Sequence, residues 1–192
     1  MNHALRRAVI QVAALNLAYF FVEFAVARRI GSVSLFADSV DFLEDACVSF
    51  LVLFAIGWPL RRRATVGSLL AVLLLVPGLA TAWMAWQKFQ TPLPPAELPL
   101  SLAGLGALCV NLYCAYLLVR VRNVAGSLSR AAFLSARNDA FANLAIILAA
   151  GTTLFWPSAW PDLIVGLAIF ALNLDAAHEV YMTSRHEAGH TG

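Results

Sequence analysis

The stretch FADSVDFLED sets Asp38, Asp41, Glu44 and Asp45 directly before the apolar run ACVSFLVLFAIGW. On a helix, Asp41 and Asp45 lie one turn apart on the same face. Asp38 and Glu44 each stand three residues from Asp41, within the same broad stripe. Like charges this close repel, and an apolar surrounding raises the cost of each one. Such a cluster persists when some of its members are protonated or when a cation sits among them. Both conditions describe a site that exchanges protons and metal ions. Counted from Ser34 at about 1.5 Å per residue, Asp45 lies about 16 Å along its helix. That depth is near the middle of a hydrocarbon core about 30 Å thick, where an ionisable residue turns toward the bundle interior.

A second set of oxygen donors lies in FLSARNDAFANLAIILAAG, where Ser135, Asp139 and Asn143 recur every four residues and form one line on a helix. Counted from Arg130, Asp139 lies about 14 Å deep. The two acidic segments run in opposite directions, so Asp45 and Asp139 reach about the same level. Asp41, Asp45 and Asp139 are then expected to close around a divalent ion. Asp38 fits the outer approach to that ion, and Glu44 the edge of the stripe. Glu23, inside the first apolar segment, suits either a proton carrier or a hydrogen-bond partner. Asn16 and Asn111 suit hydrogen bonds between helices. Asp162 follows Pro161 and is expected to cap the last helix. The tail motif HEAGH, His186 to His190, matches a zinc-protease pattern only in letters: Gly189 interrupts it and no third ligand follows.

The elements that must hold these residues follow from composition. Of 192 residues, 61% are hydrophobic and 12% charged, and the mean hydropathy is +0.77. A soluble domain cannot cover its surface with so few polar groups. The fold class is all-α, a polytopic membrane protein built as a bundle of six transmembrane helices. The segments are 8–27, 34–57, 66–86, 99–119, 132–155 and 162–181, separated by short breaks such as RRIGS, GWPLRRR and TPLPPAELP. Residues 1–181 make up the membrane domain, and 182–192 a short tail. Cys47, Cys109 and Cys114 all fall in apolar runs and read as small core residues rather than a disulfide framework. One set of alternate loops and ends holds Arg6, Arg7, Arg61, Arg62, Arg63, Arg120, Arg122, Arg130 and Arg185; the other holds Arg28, Arg29 and Lys88. The bias places both termini in the cytoplasm, with the chain integral to the cell (inner) membrane.

The order of motifs resembles a known family, the cation diffusion facilitators. VEFAVARRIGSVSLFADSVDFLED carries, in the family's sequence, Glu23, Gly31-Ser32, Ala37-Asp38, Asp41 and Asp45. GLGALCVNLYCAYLL, LSARNDA and PDLIVGLAIFALN are similar to its fourth, fifth and sixth helices, so the likeness covers essentially the whole chain. The resemblance implies metal efflux driven by proton antiport, usually by a homodimer. It places the metal site at Asp41, Asp45, Ser135 and Asp139; by their positions in the apolar segments, Glu23, Asp38 and Asn143 are expected as proton or accessory groups. Zinc-transporting members usually have His where this chain has Ser135. An all-oxygen set suits harder ions, so the expected substrate is a divalent cation such as Mn, Fe, Co or Zn. Members commonly continue into a cytoplasmic domain. Few residues follow the sixth segment here, so a short form is expected, with any dimer formed through the transmembrane helices. No prosthetic group, nucleic-acid partner or enzymatic activity is expected. A non-transporting membrane subunit or metal sensor is the alternative reading.

Overall fold

The computed structural model describes residues 3–55, 60–121 and 127–189; its side-chain description leaves out parts of 55–75 and all of 127–137 and 176–189. Among the described residues there are six helices: α1 (His3–Ile30), α2 (Val33–Ala55), α3 (Leu60–Gln90), α4 (Glu97–Arg120), α5 (Ser127–Phe155) and α6 (Trp160–Gly189). Helix is the secondary structure open to a single apolar segment in lipid, because it satisfies every backbone group internally. Each expected segment falls on one of these helices, save that 56–57, the end of the second, lie outside the described residues. Three helical stretches are long and apolar enough to cross a bilayer by themselves among the described residues: His3–Ile30, Glu97–Arg120 and Asn138–Phe155.

The helices assemble as hairpins and pairs: α1 packs along α2, α4 along α5, and α3 along α6, while α1 also meets α4 and α2 meets α6. The main core lies where five of them converge. There Ala27, Leu35, Phe36, Ala37, Val40, Leu100, Ala103, Ile146, Ala150 and Ile169 bury one another. Small residues let the backbones come close. A Cβ on Gly104 of α4 would press on Ile146 and Ile147 of α5 at 3.2 Å, and the Tyr19 hydroxyl of α1 donates to the Ala103 carbonyl at 2.7 Å, beside Gly106. Large apolar side chains face outward, among them Trp83, Trp86, Phe89 and Trp160 near the ends of α3 and α6. A band of aromatic rings suits the membrane–water boundary.

The turn between α1 and α2 is closed by backbone geometry. Gly31 has φ +66°, and the Ser32 amide reaches back to the Ala27 carbonyl at 3.1 Å, a glycine-terminated helix end. Ser32 then caps α2, its hydroxyl accepting the Leu35 amide at 3.1 Å. The next orphan amides, of Val33 and Ser34, go to the carboxylate of Asp162 at 2.9 and 3.2 Å. The Ser32 and Ser34 hydroxyls donate to the same carboxylate, each at 2.6 Å. Lys88, from the last turn of α3, completes the group: its Nζ donates to Asp162 at 2.7 Å and to the Gly31 carbonyl at 2.7 Å.

Asp162 therefore caps α2, not the helix it begins. The expectation of a cap on its own helix is corrected by packing. Gly166, one turn further along α6, sits so near α2 that a Cβ there would meet the Ser34 amide nitrogen at 2.7 Å. The face of α6 bearing Asp162 and Gly166 is thus pressed onto the first turn of α2, where a carboxylate is favoured by unpaired amides and the helix dipole.

Candidate functional site

The acidic segment of α2 faces α5 across the middle of the bundle, and one hydrogen bond sets their register. Asn143 Nδ2 donates to Asp38 Oδ2 at 2.6 Å. Since α2 and α5 are antiparallel and both advance about 1.5 Å per residue, this contact puts Asp139 level with the stretch between Asp41 and Asp45. Ser135 then falls one turn further along, at about the level of Asp45; its side chain lies outside the described residues. Asn143 is itself held by α4, accepting from Asn111 Nδ2 at 3.1 Å. Asn111 ties helices together, as the sequence led us to expect.

The polar residues divide into two tiers. The first, nearer the Gly31 turn, consists of Glu23, Asp38, Asn111 and Asn143, all buried. The second consists of Asp41, Glu44, Asp45 and Asp139, each only half-buried. Asp38, Glu44, Asp45 and Asp139 are charged neighbours of Asp41. Asp38, Glu44 and Asp45 are charged neighbours of Asp139. Asp41, Asp45 and Asp139, the three carboxylates that spacing singled out, stand in the same half-buried tier. They do not form a closed cage: among the described residues, no three His, Cys, Asp or Glu side chains converge tightly enough to hold an ion.

Neighbouring helices orient the second tier. Asn16 of α1 donates from Nδ2 to Asp45 Oδ2 at 3.3 Å. The Cys114 thiol of α4 donates to Asn16 Oδ1 at 3.7 Å, inside a cluster with Val12, Leu117 and Leu118. Asn16 was expected to join helices; that it aims a carboxylate of the acidic cluster was not legible, because nothing local in the sequence links residues 16 and 45. In the first tier, both oxygens of Glu23 and Oδ1 of Asp38 are buried without a hydrogen-bond partner among the described residues.

Access to the two tiers differs. At the Gly31 end, Asp162, Lys88, Ser32 and Ser34 seal the bundle, and the first tier below them is dry. The second tier is half-buried rather than sealed. What the arrangement can do chemically is offer several acidic oxygens in a setting that does not tolerate their charge uncompensated.

Comparison with known proteins points the same way. Residues 9–186 match the cation efflux transmembrane domain. The chain is also 28% identical over 171 residues to the zinc transporter ZitB of Pectobacterium atrosepticum, an alignment covering 82% of this chain and 53% of that protein. The chain thus spans about half the length of the curated relative it matches.

Proposed function

The chain belongs to the cation efflux family, and from that premise we propose that it moves divalent metal cations across the membrane in exchange for protons. Asp41 and Asp45 of α2 and Asp139 of α5 take the ion, with Ser135 as a fourth, weak oxygen neighbour. The observation that carries this reading is the Asn143–Asp38 bond at 2.6 Å, whose register brings Asp139 level with Asp41 and Asp45. The ion draws the half-open carboxylates together, and protons compete with it for the same oxygens. Manganese, iron, cobalt and zinc are the candidate substrates. The name of the similar ZitB speaks for zinc, and the oxygen-rich donor set for a harder ion.

In this reading the sealed Gly31 end faces outward, and both termini lie in the cytoplasm of a cell bounded by the inner membrane that holds the chain. Transport proceeds by alternating access, and a second copy pairs through the membrane helices. The test is a metal panel in proteoliposomes loaded with a pH-sensitive dye. Metal entry with counter-movement of protons is expected for the wild type, and neither for Asp45→Ala or Asp139→Ala that still inserts. Full transport by both variants removes the site. Saturable binding without flux in the wild type favours a sensor instead.

A further inference from the structure

Asn111 and Cys114 stand three residues apart on α4, so their side chains leave one face of that helix. Neither is an ion ligand in the reading above, and α4 scarcely meets α2 directly. Each nevertheless reaches the acidic stripe of α2 through one asparagine on a flanking helix. On one side, Asn111 Nδ2 donates to Asn143 Oδ1 of α5 at 3.1 Å, and Asn143 Nδ2 donates to Asp38 Oδ2 at 2.6 Å. On the other, the Cys114 thiol donates to Asn16 Oδ1 of α1 at 3.7 Å, and Asn16 Nδ2 donates to Asp45 Oδ2 at 3.3 Å. Both α4 residues are buried, and the two bridging asparagines have no exposed surface. Asp38 and Asp45 are seven residues apart, about two turns of α2 with Asp41 between them, so the bridges hold both ends of the stripe.

The chemistry of the bridges lies in their direction. The two ends of a carboxamide are nearly equal in shape, so apolar packing does not choose between an asparagine and the same side chain turned over. The turned form would set its oxygen against a carboxylate oxygen, acceptor against acceptor. A donor on α4 makes the choice. By occupying Oδ1 of Asn143 and of Asn16, Asn111 and Cys114 leave the N–H side of each amide facing α2. An apolar side chain at either position would fill similar space without that choice.

We propose that Asn111 and Cys114 are positioning residues for the metal site: from a helix that supplies no ligand, they fix the amide faces of Asn143 and Asn16 and thereby the placing of the α2 carboxylates. That role rests on the metal-binding function given above to Asp41, Asp45 and Asp139. With either α4 donor removed, its asparagine samples both orientations and one end of the stripe loses its tie. The carboxylates are then no longer held in one arrangement before the ion arrives.

Calorimetric titration of the full chain in nanodiscs, with Mn²⁺ and with Zn²⁺, tests this. Cys114→Ala and Asn111→Leu should each weaken binding about threefold or more. Cys114→Ser, whose hydroxyl keeps a donor in place, should bind as the wild type does. Should Asn111→Leu fail to fold, Asn111→Ala takes its place. Double-mutant cycles then separate positioning from packing. Cys114→Ala should add little to Asn16→Leu, and Asn111→Leu little to Asn143→Ala, because each acts through that asparagine. Cys114→Ala and Asn111→Leu together should multiply, since they act on different bridges. A merely structural α4 gives the opposite pattern: Cys114→Ser no better than Cys114→Ala, and losses that multiply along each bridge. Either result overturns the positioning role, as does wild-type affinity in both single variants. If the wild type binds neither ion, the metal-site reading itself falls and takes the positioning role with it, an outcome distinct from binding whose losses multiply along each bridge.

Discussion

Lys88 and Asp162 form an ion pair of 2.7 Å with side chains 6% and 0% exposed, joining the last turn of α3 to the first of α6. The pair sits on a second helix end, because Asp162 also takes the first amides of α2. Breaking a buried pair by removing one partner leaves an uncompensated charge and costs roughly 3–5 kcal/mol. Here the four other donors to Asp162 hold the loss near the lower end. Lys88→Met should therefore lower the melting temperature of the purified protein clearly, and Lys88→Met with Asp162→Asn should lower it by less than the sum of the single changes. Strict additivity in thermal unfolding would show that the two groups do not act as a unit.

Asn16 offers a milder perturbation, because it touches a proposed ligand without being one. Its amide orients Asp45 at 3.3 Å, and a hydrogen bond to a charged group contributes about 1.5–3 kcal/mol. Asn16→Leu should insert normally and weaken metal binding by roughly tenfold or more, with the number of bound ions unchanged. Calorimetry with Mn²⁺ checks this, and an unaltered affinity would leave Asn16 a purely structural tie.

In the proposed site, Ser135 is the neighbour that bears on the choice of metal. Zinc favours nitrogen and sulfur donors, and a serine hydroxyl supplies neither. Ser135→His is expected to raise the zinc-to-manganese transport ratio by about tenfold or more, chiefly by improving zinc. Flux of both ions, measured competitively in the same liposomes, gives the ratio directly. A ratio that stays constant would remove position 135 from the set that contacts the ion.

The arrangement on which the proposed site rests was legible where its logic is local. Four-residue spacing is enough to put Asp41 above Asp45, and Asp139 on one line with Asn143. The same periodicity misleads in one respect: it makes Ser135, Asp139 and Asn143 look like one functional line, whereas Asn143 is bonded into the dry tier and Asp139 stands in the wet one. Helical spacing records which residues share a face and is silent about which neighbour each meets. The Asp162 cap was hidden for a related reason. Its partners lie 128 to 130 residues away in the chain, and the signal for the contact is a glycine one turn along, which reads as ordinary in a membrane helix. Lys88 read as a loop charge, because only the folded bundle brings it over the Gly31 turn.

The stitched Gly31 turn also has a mechanical meaning. A helix of 23 residues is about 35 Å long. Because the start of α2 is bonded to the ends of α3 and α6, it has little freedom to slide there and more freedom to swing. A tilt of about 10° around that fastened point carries the opposite tip about 6 Å, and Asp45, halfway along, about 3 Å. Fastening one end thus converts a small rotation into a graded displacement that grows with distance from Asp162: least at Asp38, greater at Asp41 and Asp45, greatest at Ala55. The carboxylates are arranged along a lever, and Asp162 is its fulcrum.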